Sequence, residues 1–187
     1  MRRLALIVSL ILQPSLVAAS LYVASATIMG EWLGLPLALM FSSFLPLAFT
    51  VSWARLNGSP WDLPSRSLRG APLIFASTSN LVGALLTYVL STARYMSAIM
   101  AGYGLGGILA YAASRRWKVS IHALSVAEAV VGFHYLASTS LVLLASVATV
   151  AVGWARVRLG KHTVLQVVVG AVIGLLSASI AFHIFLS

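Results

Sequence analysis

The chain has no cysteine, only three acidic residues and no long polar stretch. Without cysteine there can be no disulfide, no thiolate nucleophile and no cysteine-held metal. The acids are Glu31, Asp62 and Glu128, far apart in sequence, so no carboxylate pair of the glycosidase kind exists. One aspartate also argues against the membrane-embedded aromatic prenyltransferases, which need two aspartate-rich motifs to hold magnesium. Charged residues make up 8% of the chain, where a soluble domain carries about a quarter. Internal repeats and low-complexity segments are absent.

What is present is hydrophobic: 60% of 187 residues, with a mean hydropathy of +1.01. It falls into seven runs, Leu4–Met29, Trp32–Val51, Ala71–Leu90, Tyr95–Ala113, Ile121–Ala137, Thr139–Ala155 and Thr163–Leu186. Each is long enough, as a helix, to cross ~30 Å of hydrocarbon. Helices satisfy their own backbone in lipid. The expectation is an all-α, polytopic membrane helical bundle of about six or seven spans, forming one integral membrane domain over residues 1–187.

The net charge of +9 does not point to nucleic acid, because its distribution is one-sided. With seven crossings, one side holds every Lys and Arg except Arg94. Such an excess marks the cytoplasmic face, so the N-terminus and the basic loops are expected inside the cell. Residues 1–20, MRRLALIVSLILQPSLVAAS, have the basic start, apolar centre and small residues of a signal peptide. The apolar run continues through Leu21–Met29, which favours a retained first helix. Trp32, Trp53, Trp61, Trp117 and Trp154 sit near expected helix ends, as an interfacial belt requires. Gly102, Gly104, Gly106 and Gly107 read as a helix-packing surface.

Three segments on the basic side carry chemistry: DLPSRSLRGAP (Asp62–Pro72), WKVSIH (Trp117–His122) and RVRLGKHTVLQ (Arg156–Gln166). Helical hairpins return all three to one face, where they can form one pocket of two histidines among several cations. Cations repel a metal ion but suit an anion that is attacked and then released. Phosphoryl transfer asks for cations around the equatorial oxygens, a nucleophile in line and an acid for the leaving oxygen. Histidine can fill both of the last two roles. Glu128 lies about 9 Å deeper than His122 along one helix. It reads as a structural acid or as a wall of that pocket. His134 reaches it only through a bend or from another helix. His183 reads as interfacial.

These residues resemble the type 2 phosphatidic acid phosphatase superfamily, which also contains vanadium haloperoxidases. Its last signature is Ser-Arg, five residues, His, three residues, Asp; here Ala155, Arg156, His162 and Gln166 stand in those places. Its Pro-Ser-Gly-His resembles Val119, Ser120, Ile121 and His122. Its Lys, six residues, Arg-Pro is represented by Arg69, with Pro72 slightly late. The resemblance implies a phosphatase-like core over residues 52–187. His162 would be the nucleophile that forms a phosphohistidine, and His122 the acid. Arg156 and Arg69 would hold phosphate oxygens, and Ser120 would donate a hydrogen bond. No metal or other cofactor is implied. Arg66 or Lys118 can stand in for the missing lysine.

The family's orienting aspartate is Gln166 here. An amide oxygen one helical turn away still reaches the ring, but it stabilises imidazolium less than a carboxylate does. Asp62 either supplies that carboxylate or caps a turn and pairs with Arg66. The partners expected are the bilayer and a phosphorylated lipid: phosphatidic acid, phosphatidylglycerol phosphate, or a polyprenyl phosphate or diphosphate. The other reading is a site that binds lipid phosphate without hydrolysing it.

Overall fold

A computed structural model of the chain describes residues 1–60, 63, 65 and 67–187. Every regular element among them is helical. In chain order they are α1 (Arg2–Ile11), α2 (Pro14–Met29), α3 (Leu35–Leu39), a π turn (Met40–Phe44), α4 (Leu45–Leu56) and a 3₁₀ turn (Ser67–Arg69). Then come α5 (Gly70–Ser91), α6 (Arg94–Ser114), α7 (Ile121–Tyr135), α8 (Thr139–Arg158) and α9 (Val164–Leu186). Each of the seven apolar runs becomes helix.

Two runs are not single straight helices. The first breaks at Leu12–Gln13 and bends by 47°. Pro14 opens α2 and holds Gln13 extended, at φ −72° and ψ 149°, because a residue before proline is pushed out of the helical region. The second, Leu35–Leu56, is continuous through the π turn. Among the described residues five helical stretches are long and apolar enough to cross a membrane, or six if the bent pair is one span. α7 has 15 residues, about 22 Å, so the sequence overstated it. The chain turns at Leu136–Ser138, with Ala137 at φ 53°.

Polarity is inverted relative to a soluble protein. On α8, Leu143, Leu144, Val147 and Val150 face outward, while Ser97, Ser125, Glu128 and Asn80 are buried. α6 lies between α5 and α9, and α7 between α8 and α9. The four-glycine stretch is the packing surface expected: a Cβ on Gly102 would meet the Ala178 backbone, and one on Gly106 would meet Glu128 and Ser177. Closest of all is α9 on α7. A Cβ on Gly170 would collide with Ser120 O, and one on Gly174 with Leu124 O. Two bare positions one turn apart therefore bring the start of α9 against the start of α7.

The turns sort to two ends. Arg69 meets Val119, Lys118 meets Lys161 and Ser120 meets Gln166, so three basic turns share one end. At the other, Glu31 meets Tyr95 and Met96.

Candidate functional site

The site begins with how α8 ends. Gly160 takes the left-handed conformation (φ 67°), which costs glycine nothing. Gly160 N donates to Val157 O at 2.9 Å and Lys161 N to Arg156 O at 3.0 Å. This paired closure satisfies the last carbonyls of the helix. His162 N also reaches Arg156 O, at 3.3 Å. The turn therefore folds His162 back over Arg156, and the six-residue spacing in sequence becomes a contact.

Thr163 then caps α9. Its hydroxyl accepts from Gln166 N at 3.3 Å, and Gln166 Oε1 accepts from Thr163 N at 3.2 Å, a reciprocal capping box. The same Oε1 lies 3.2 Å from His162 Nδ1. Because Thr163 N can only donate, the Gln166 atom is an oxygen, and His162 Nδ1 must be the protonated nitrogen. In the neutral ring, Nε2 then carries the lone pair. Burial pushes the His162 imidazole down to about 3, helped by the positive charges of Arg156, Arg69 and Lys118 and opposed by Gln166. At neutral pH the ring is uncharged.

Arg69 and Arg156 are both buried, at 8% and 4% exposure. Arg69 Nε donates to Leu63 O at 2.9 Å and Nη1 to Val119 O at 3.4 Å, which joins the turn before α5 to the turn before α7. Arg156 Nη1 donates to Ser9 Oγ at 3.0 Å. Burying a guanidinium costs several kcal/mol unless hydrogen bonds offset it, so each is fixed by its acceptors. His122 opens α7 beside them, with Nε2 buried and making no hydrogen bond among the described residues.

His162, His122, Arg156 and Arg69 line one cavity of about 210 Å³. These four line it at the basic end; Pro46, Leu47, Leu73, Ala76 and Leu124 line it as well. The four residues that the resemblance ranked highest are thus brought together. Lys118 does not line the cavity, but its charge acts on His162, and its Nζ donates to Lys161 O at 2.9 Å. Ser120 is fully buried and does not line the cavity; its hydroxyl accepts from Ala123 N at 3.4 Å as the cap of α7. Asp62 and Arg66 lie outside the described residues. Glu128 is a buried structural acid bonded by Ser177 Oγ at 2.9 Å, away from the cavity wall. His134 is exposed and packs edge-on against Tyr135.

The sequence missed the first two runs as walls. Gln13, Ser15, Ser42 and Thr50 line the cavity, although the expected core began at residue 52. The only signals were Pro14 and the serines within otherwise apolar runs. Among the described residues, no group of three or more His, Asp or Glu comes together as metal ligands would.

Chemically, the arrangement offers two guanidinium groups for an anion, one neutral imidazole with a free lone pair and a second imidazole beside it. All four sit at the basic end of a largely apolar slot. No protein-family model, no curated protein and no solved structure matches the chain.

Proposed function

We propose that the protein is a membrane-embedded, metal-independent phosphatase acting on a lipid phosphate or a prenyl diphosphate. The observation that carries this reading is the joint lining of one slot by His162, His122, Arg156 and Arg69. The outward apolar faces and long apolar helices support placing the bundle in a bilayer as a polytopic span set. The one-sided Lys and Arg distribution supports a basic, cytosolic mouth. A phosphate at the mouth then projects its tail along the apolar wall.

In this mechanism Arg156 and Arg69 hold the phosphate oxygens and stabilise the charge that spreads over them. His162 Nε2 attacks phosphorus, and the bond to the leaving oxygen breaks. Nε2 of His122 takes the proton of the substrate's phosphate monoanion and passes it to that oxygen. Water then attacks the phosphohistidine, its proton returns to His122, and inorganic phosphate leaves with His162 restored. Gln166 holds His162 Nδ1–H throughout and so presents Nε2.

The test is phosphate release by detergent-purified protein without added metal, from phosphatidic acid, phosphatidylglycerol phosphate and prenyl diphosphates, beside His162→Ala. Release that disappears in the variant supports the reading. A folded protein that releases none, yet binds lipid phosphate, favours the second reading, a non-hydrolysing lipid-phosphate binder. The observation behind that alternative is that the ring is oriented by the neutral amide of Gln166, which also serves the cap of α9.

A further inference from the structure

The break in the first run reaches into the site. Pro14 holds Gln13 extended, so α1 stops at Ile11 and its last carbonyls lose their next-turn donors. Leu12 N still bonds Val8 O, at 2.9 Å, but no main-chain bond runs from Gln13 N to Ser9 O. Ser9 is buried, at 5% exposure. Its main chain lies on the side of the His122 ring and acts on it. His122 Nε2 makes no hydrogen bond among the described residues, which leaves Nδ1 as the nitrogen for the Ser9 carbonyl. The Ser9 hydroxyl accepts from Arg156 Nη1 at 3.0 Å. One residue of α1 thus touches two of the four site side chains, from a part of the chain with no counterpart among the three resembling motifs.

We propose that Ser9 is a positioning residue, whose hydroxyl fixes the Arg156 guanidinium and whose main-chain oxygen, released by the break at Pro14, fixes the His122 ring. The geometry gives each contact its own job. A carbonyl that takes the Nδ1–H leaves Nε2 as the nitrogen for proton transfer. A hydroxyl that accepts from Arg156 Nη1 sets the orientation of the guanidinium plane. α1 packs along α8, so its seat on that helix sets both contacts together. This inference rests on the phosphatase reading for its kinetic test but has a readout of its own.

The experiment uses full-length protein in detergent carrying Ser9→Ala, Ser9→Thr or Pro14→Ala, with melting temperature recorded for each. Steady-state hydrolysis is measured on phosphatidic acid and a prenyl diphosphate. Ser9→Ala removes only the Arg156 bond, so KM should rise roughly tenfold or more and kcat/KM fall with it, as for loss of one hydrogen bond to a charged group. Ser9→Thr keeps the hydroxyl and should restore KM, which a purely packing role would not do. Pro14→Ala lets α1 run into α2 and hands Ser9 O to Gln13 N, so kcat should fall roughly tenfold. Kinetics equal to the parent in folded Ser9→Ala and Pro14→Ala would overturn the proposal. If the parent releases no phosphate at all, the phosphatase reading fails, and ¹⁵N NMR of the His122 ring decides about Ser9. An Nδ1–H tautomer in the parent that is lost in Pro14→Ala upholds the positioning role, and the same tautomer in both refutes it.

Discussion

The two ends of the bundle each hold charge, and they use it differently. At the neutral end, Glu31 accepts from Ser25 Oγ at 3.0 Å and from Tyr95 N and Met96 N, both at 2.9 Å. Those two amides belong to the first turn of α6, whose N–H groups lack partners within the helix and whose dipole favours an anion. The carboxylate is a clasp between the turn after α2 and the start of α6. At the basic end, Arg69, Arg156, His122 and His162 surround an open slot. The Glu31 carboxylate is enclosed by main-chain donors and holds the fold together, whereas the charged groups of the basic end line a cavity.

The sharpest way to break that comparison is to remove one charge-bearing group from each end. His162→Ala should reduce phosphate release by at least roughly 10³-fold, since the nucleophile itself is lost. Arg156→Gln and Arg69→Gln should each cost about 10²-fold, the scale of one lost transition-state donor. Measured release within a few-fold of the parent in these variants would make the basic end structural after all. Gln166→Glu keeps an acceptor for His162 Nδ1 and Thr163 N while adding the charge that the resembling family carries. It should raise turnover about tenfold. An unchanged or lower rate would show that the amide is the adapted partner. Glu31→Ala, at the far end, should leave the specific activity of folded protein unchanged and lower stability by about 2 kcal/mol, seen as a lower melting temperature.

A smaller effect tests the electrostatics. In the unfolded chain His162 binds a proton near 6.5, but in the fold its ring is held at about 3. Between these values the unfolded state takes up a proton that the folded state refuses. The stability tied to the neutral ring is therefore complete above about pH 6.5 and is lost as pH falls toward 3. Melting temperature should fall on acidification less steeply in His162→Gln than in the parent. ¹⁵N NMR should show His162 uncharged from about pH 8 to 5, and a titration within that window would contradict the burial and cation arguments.

Much of the site was legible because its parts sit at helix ends, where sequence signals are strongest. Gly160 marks the closure of α8, Thr163 and Gln166 the cap of α9, and Ser120 the cap of α7. The histidines and arginines stand within a few residues of those signals. Ser120, the donor that the resemblance implied, serves the α7 terminus as an acceptor. The walls were not legible. Gln13, Ser15, Ser42 and Thr50 lie in apolar runs where periodicity gave no inward face. The π turn at Met40–Phe44 carries no mark in sequence. The length of α7 was overstated because an apolar run does not reveal where a left-handed residue such as Ala137 will turn the chain.

The central claim is that His162 is a nucleophile, and its most direct test is to catch the phosphoryl group on it. Purified protein is mixed with a lipid phosphate, quenched in base to preserve phosphohistidine, digested and sequenced by mass spectrometry. One phosphoryl group is expected on His162, absent from His162→Ala. Phosphate release that proceeds with no adduct, and persists in His162→Ala, would contradict it.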